Sequence, residues 1–191
     1  MSQTISEIYE KIIENIVGKE YKLPITKNKG GVGQFLEDLL GIAHTSNCLD
    51  CSDGELKAFP VKKLHNGKLV PKETVAVTML CKNELLANDF NSSKCCKKMT
   101  KILFVPYLRH GDDIWFMIPT IIDKNCLEFA YLYATIETDY NVIRQNYIEN
   151  GVLASKDGVL LQNRTKGAKG STSRAFYLRT EFIKQYVPIS L

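Results

Sequence analysis

An α/β fold, a mixed sheet with helices packed on it, is the class the sequence predicts. Three observations predict it. Apolar residues recur at helical spacing near the N-terminus, β-branched and apolar runs follow in the middle, and the two patterns alternate irregularly with no internal repeat. The 191 residues are 45% hydrophobic and 24% charged. That suits a single domain over residues 1–191, with room for two lobes, and is too apolar for a disordered chain. No apolar run approaches the roughly 20 residues that span a bilayer. The N-terminal MSQTISEIYEKII has acids where a signal peptide has a basic segment. A soluble, cytoplasmic protein is therefore expected, with its six cysteines reduced.

The elements follow in order. Ile5, Ile8, Tyr9, Ile12, Ile13 and Ile16 predict a helix over 4–17, with Thr4 and Glu7 as a capping box and Gly18 as its stop. After a lysine-rich loop, Val32, Phe35, Leu36 and Leu39 predict a buried face on a helix over 32–40, ended by Gly41. Glu37 lies off that face and is free to meet something polar. Residues 42–54 are rich in turn formers and end in Asp53-Gly54. A strand is expected over 55–60, a turn at Asn66-Gly67, and further strands over 74–80, 102–105 and 114–118, with another possible over 127–136. A helix is expected over 139–150. Asp157-Gly158, flanked by 152–155 and 159–162, reads as a hairpin. A Gly/Ser/Thr/basic loop over 163–174, a short strand over 175–178 and a helical turn over 181–186 complete the chain. Cys81 and Cys126 stand in apolar runs and are expected in the core.

Charge is unevenly placed. The formal net charge is +4, but residues 160–191 alone carry +5, and residues 110–150 carry −5. Lys94, Lys97, Lys98 and Lys101 form a second basic cluster. A chain so polarised presents an oriented field to a polyanion.

The segment Asp50-Cys-Ser-Asp53-Gly-Glu55-Leu-Lys57 carries the chemistry. Side chains alternate on a strand, so Glu55 and Lys57 share one face while Leu56 points to the other and can enter the core. A carboxylate and an ammonium then stand side by side, with a second carboxylate arriving from the turn before. Hydrolysis of a phosphodiester needs such a set. A hard divalent cation prefers oxygen ligands, and Asp50, Glu55 and the Leu56 carbonyl can supply three. Lys57 can position a water or neutralise charge developing on phosphate. Glu37 could complete a second metal position. A Glu-x-Lys pair alone is also an ordinary charge pair on solvated sheet faces.

Longer blocks add to this. Lys29-Gly-Gly-Val-Gly33-Gln-Phe-Leu-Glu37-Asp-Leu-Leu-Gly41 and Gly54-Glu55-Leu-Lys57-Ala-Phe-Pro60 are followed by Lys98-Met-Thr-Lys101-Ile-Leu-Phe-Val-Pro106. Leu161-Gln162-Asn-Arg164-Thr-Lys166-Gly167 and Ser173-Arg174-Ala-Phe176-Tyr177-Leu178 come last. In this order, over about residues 29–182, they resemble the MutH family of DNA endonucleases, which holds the mismatch-repair nicking enzyme and related type II restriction endonucleases that cut at GATC. The last two blocks are closer to the restriction branch.

The resemblance implies a PD-(D/E)xK restriction-endonuclease-like fold, a mixed β-sheet flanked by helices, and Mg²⁺ as cofactor. It places the divalent-metal site on Glu37, Asp50, Glu55 and Lys57, with the Leu56 carbonyl. One departure matters. The family's aspartate usually lies seven residues before the glutamate, where this chain has Cys48, and Asp50 lies five before. Asp50 is the favoured ligand and Asp53 its rival.

The resemblance also implies DNA contacts at Lys29, Lys98, Arg164, Lys166, Gly167, Ser173, Arg174 and Tyr177. Arginine can bind guanine O6 and N7 with two parallel bonds, and glycine-rich loops let backbone amides approach phosphates. The expected partner is double-stranded DNA, with a homodimer on a palindromic site, and the expected origin is prokaryotic or viral. A strand-specific repair nickase and a catalytically silent DNA-binding module of the same fold are the alternatives. Cys48-Leu-Asp-Cys51 with Cys95-Cys96 offers a weaker zinc reading, since adjacent cysteines make an awkward second pair.

Overall fold

A computed structural model describes residues 3–26, 28, 30–43, 48–168 and 170–190. In chain order the elements are α1 (Ile5–Asn15), β1 (Glu20–Lys22), α2 (Gly31–Leu40), β2 (Glu55–Lys63), β3 (Leu69–Pro71), β4 (Val75–Leu80), α3 (Lys82–Ala87), α4 (Lys94–Met99), β5 (Lys101–His110), β6 (Asp113–Phe116) and β7 (Thr120–Asp123). A 3₁₀ turn (Leu127–Phe129), α5 (Ala130–Asn150), β8 (Leu161–Thr165), β9 (Arg174–Leu178) and α6 (Thr180–Tyr186) follow. The chain divides into two compact units. The first is Met1–Glu73, Lys101–Ile122 and Tyr186–Leu191; the second is Thr74–Thr100 and Asp123–Gln185.

The first unit is built on a sheet with strand order β1-β6-β5-β2-β3, and β7 also pairs with β5. β2 and β5 run parallel at the centre, from Glu55 opposite Ile102 to Val61 opposite Leu108. A buried parallel pair reads as continuous apolar sequence, and Ile102–Val105 is such a run. α1 starts at the Thr4–Glu7 capping box, which forms as expected. It buries Ile5, Ile8 and Ile12 against a core that includes Leu36, Leu56, Leu103, Val105 and Phe116. Each isoleucine so buried contributes about 1.5–3 kcal/mol. α2 ends with Gly41 in the left-handed conformation. Its buried residues are Val32, Leu36 and Leu40. Leu39, expected in the core, is exposed instead, because the helix turns its i, i+4, i+8 row inward.

The second unit has a three-stranded antiparallel sheet, β4-β9-β8. Tyr140 of α5 stacks on Phe176 of β9 at 5.4 Å between centroids and packs on Phe90 at 5.6 Å. Three expectations fail here. Residues 127–136 are not a strand but the 3₁₀ turn and the first two turns of α5. Leu132, Tyr133, Ile136, Tyr140 and Ile143 are buried at helical spacing, while Leu127 is 91% exposed. The stretch 152–155 does not pair with β8, so the predicted hairpin is a turn leading into one strand. Its carbonyls are taken by side chains: Asn163 Nδ2 donates to Ala154 O and Arg179 Nη2 to Ser155 O, each at 2.9 Å. Cys81 and Cys126 are exposed rather than in the core, whereas Cys51, Cys95 and Cys96 are buried. Among the described residues no helix is long and apolar enough to cross a membrane.

Candidate active site

The first unit brings the sequence-predicted acids to the N-terminal end of β2. Lys57 Nζ donates to Glu55 Oε1 at 2.6 Å. The pair shares one face of the strand as alternation requires, and Leu56 lies on the other face in the core. The Glu55 side chain is 1% exposed and that of Lys57 23%, so the carboxylate is shielded while the ammonium reaches the solvent edge.

Asp50 and Asp53 separate into two roles. Asp50 Oδ2 accepts the Leu56 amide at 3.1 Å, which ties the preceding turn to the second residue of β2. Asp53 Oδ1 accepts the Ile5 amide at 2.7 Å, at the start of α1, and its Oδ2 takes Lys101 Nζ at 2.8 Å. Ser52 N also donates to Gln3 O. Burial pushes the Asp53 carboxyl up, but the Lys101 ammonium and the Ile5 amide together hold it below the usual carboxylate range. Asp53 is thus tied to α1 and to Lys101, and Asp50 to the backbone of β2.

Gly54 lies between them for want of space. A Cβ there would stand 2.6 Å from both Ile5 Cγ1 and the Lys101 carbonyl oxygen. Gly54→Ala is expected to destabilise the fold by about 1–3 kcal/mol through overpacking, read as a lower midpoint in urea unfolding.

Cys51 is buried near these acids. Its thiol is pushed up to about 12, first by burial and then by Asp50, Asp53, Glu55 and Glu37. Glu37, half-buried on α2, thus belongs to the same negative field although it is 18 residues before Glu55 in the chain. Among the described residues no three His, Cys, Asp or Glu side chains form a ready-made metal cage. The donor set at β2 is instead two carboxylates and a backbone carbonyl. The N–H and C=O of a strand residue leave on the same side, which places the Leu56 carbonyl on the side where Asp50 takes its amide. Magnesium is commonly held through one or two carboxylates while keeping several waters, so oxygen donors of this number and kind fit it.

The expected DNA-contacting residues that are described fall in the second unit. Arg164 projects from β8, exposed, with its Nη1 on Thr74 Oγ1 at 3.1 Å and its guanidinium 6.0 Å from the centroid of the Tyr177 ring. Lys166, Gly167 and Ser173 are exposed on the loop from β8 to β9. That loop is closed by Lys166 N on Ser173 O and Ser171 Oγ on Lys166 O, each at 2.8 Å. Lys98 is half-buried on α4. Arg174 differs from the rest: its guanidinium is spent on Asn163 and Ser155. Lys29 lies outside the described residues. Thr74 and Asn163 were not signalled by the sequence, because their partners are distant in the chain or act on the backbone.

A mixed sheet backed by helices, with a Glu-x-Lys pair opening a central strand and an aspartate held beside it, defines the restriction-endonuclease-like class. The model of the MutH family, described as DNA mismatch repair enzyme MutH, matches residues 45–146. The chain belongs to that family. The type II restriction enzyme Sau3AI of Staphylococcus aureus is 28% identical over 161 residues, 78% of this chain and 32% of that protein. The DNA mismatch repair protein MutH of Buchnera aphidicola is 27% identical over 187 residues, 83% of this chain and 80% of that protein. The chain thus spans about a third of the restriction enzyme's length. A solved complex of restriction endonuclease MvaI with its cognate DNA covers 97% of this chain and 96% of its own at 12% identity and a TM-score of 0.45.

Proposed function

We propose that residues 1–191 form one endonuclease domain that hydrolyses phosphodiester bonds in duplex DNA, as a Mg²⁺-dependent type II restriction enzyme acting at GATC. The observation that carries this reading is the buried Glu55 paired with Lys57, with Asp50 anchored one residue away and Glu37 in the same field. A bound Mg²⁺ would polarise a phosphate oxygen and make a bound water more acidic. Asp50, Glu55 and the Leu56 carbonyl would hold it. Lys57, which donates to Glu55 Oε1 at 2.6 Å, would present an ammonium that orients the attacking water and offsets negative charge on the phosphate. Glu37 adds a carboxylate for a second ion or for a water.

Sequence reading belongs to the second unit in this account. Arg164 is pre-oriented by Thr74 and Tyr177 and is suited to guanine O6 and N7. Lys166, Gly167 and Ser173 of the β8–β9 loop, Tyr177 of β9 and Lys98 of α4 are proposed as further DNA contacts, as is Lys29. Arg164→Ala is expected to lose about 1–3 kcal/mol of discrimination between GATC and shuffled duplex, measured by competition binding. A uniform loss on both duplexes would reassign it to a phosphate contact.

A second reading, a strand-specific repair nickase, is supported by the 27% identity to the repair protein over 83% of this chain. Digesting hemimethylated GATC plasmid with Mg²⁺ decides between them. The restriction reading expects linear product, and nicked product confined to the unmethylated strand selects the nickase. With one proposed catalytic site, at Glu55–Lys57, two chains would be needed to cut both strands of a palindrome. Sedimentation on a GATC duplex is expected to show a 2:1 complex, and a strict monomer making concerted breaks would exclude it.

A further inference from the structure

We infer that Arg174 is a positioning residue of the reading strand: it acts through the buried Asn163 to fix the register and angle of β8, and does not itself touch DNA. The inference rests on the DNA-reading role proposed for β8 and names what sets its specificity. Arg174 Nε donates to Asn163 Oδ1 at 2.6 Å, and its Nη2 donates to Asn163 O at 3.2 Å and Ser155 Oγ at 3.3 Å. One guanidinium thus chelates both oxygens of a single residue. Asn163 is fully buried, so it cannot read a base. Its own Nδ2 donates to Ala154 O at 2.9 Å, linking the turn before β8 to the strand.

The strand is held at its start as well. The buried Asp139 carboxylate accepts the amides of Val159, Leu160 and Leu161 at 2.7, 2.7 and 2.8 Å. Gly158 (φ +82°) permits that turn, since a Cβ there would stand 1.9 Å from Leu161 O. Arg179 closes it from the far side through Gly158 O, Asp157 O and Ser155 O. Asp139 and Arg174 therefore fix the residues on which Arg164 and Lys166 follow. Arg174 sits opposite Thr165 in the β8–β9 ladder, between those two residues in register. Small displacements of a base-contacting side chain cost large factors in recognition, so a rigid base is what the site needs.

Arg174→Lys separates the two roles, because lysine keeps the charge but cannot chelate Asn163. Binding to a short GATC duplex and its shuffled counterpart is measured across NaCl concentrations, with Ca²⁺ in place of Mg²⁺. Temperatures are chosen where circular dichroism shows wild type and variants folded. Arg174→Lys and Arg174→Ala are both expected to lower the GATC-to-shuffled affinity ratio about tenfold. The salt slope should stay unchanged for both. Retention of the ratio by Arg174→Lys, with a slope reduced by about 0.9 in Arg174→Ala, marks a phosphate contact and overturns the inference. Hydrogen exchange is read on the same proteins without DNA. Amides of 163–166 are expected to lose protection in Arg174→Lys, and unchanged protection overturns the link through Asn163. Wild type binding neither duplex would sink the DNA-reading proposal itself, and the exchange result would still decide what Arg174 holds.

Discussion

Asp50→Ala is expected to lower plasmid cleavage on the order of 10³-fold, and Asp53→Ala to leave it near wild type at a temperature where the variant is folded. The two acids differ by three positions, and the structure gives them different partners. Asp50 accepts the Leu56 amide on the strand that carries Glu55. Removing it leaves one amide to water, a cost of about 1 kcal/mol, but takes away a ligand whose ion stabilises the transition state by several kcal/mol. Asp53 holds the first amide of α1 and the Lys101 ammonium. Its loss is expected to cost about 1–2 kcal/mol of stability, tempered by its partial exposure. Its pH dependence gives an independent check. The folded carboxyl lies below its unfolded value, so its contribution is complete above the ordinary carboxylate range and fades as pH falls through the folded value. Wild type and Asp53→Asn are therefore expected to differ in urea midpoint at neutral pH and to converge in strong acid. Loss of cleavage in Asp53→Ala with retention in Asp50→Ala would move the metal ligand.

Glu55→Gln is expected to remove both cleavage and divalent-cation binding, the latter read by Mn²⁺ titration, while the protein stays folded. The amide keeps the shape of the carboxylate but loses the charge that makes it a ligand. Glu55 is buried, and breaking a buried ion pair is costly in general. Here the Lys57 side chain is 23% exposed and can turn to water, so the stability cost should stay at about 1–2 kcal/mol. Mn²⁺ binding at wild-type affinity in Glu55→Gln would remove Glu55 from the ligand set.

The Glu55/Leu56/Lys57 arrangement was legible because strand alternation is local and rigid: two residues apart means one face, and Leu56 duly enters the core. The partners of Asp53 were not, because Ile5 and Lys101 each lie 48 residues from it. Glu37's share in the acid field around Cys51 was implied by the family resemblance alone, since no local spacing ties α2 to β2. The misreading of 127–136 has a different origin. Short apolar runs do not distinguish a strand from a buried helix, and it is the inward row Leu132, Ile136, Tyr140, Ile143 that reveals α5. The hairpin expected at Asp157-Gly158 failed because Asn163 and Arg179 satisfy carbonyls that a partner strand would have met. Side-chain bonds of this kind leave no periodic signature. They also engage Arg174 with Asn163 and Ser155, although its position beside Arg164 and Lys166 made it look equivalent.

The central claim is that Asp50, Glu55 and Lys57 act together on a phosphodiester, and plasmid cleavage by matched preparations of wild type and Lys57→Ala tests it most directly. Lys57 is the one member of the set that is not proposed as a metal ligand. With Mg²⁺ and supercoiled DNA carrying GATC, wild type is expected to cut and Lys57→Ala to be slower by at least about 10²–10³-fold, with both silent in EDTA. Equal cutting by the two proteins would contradict the account.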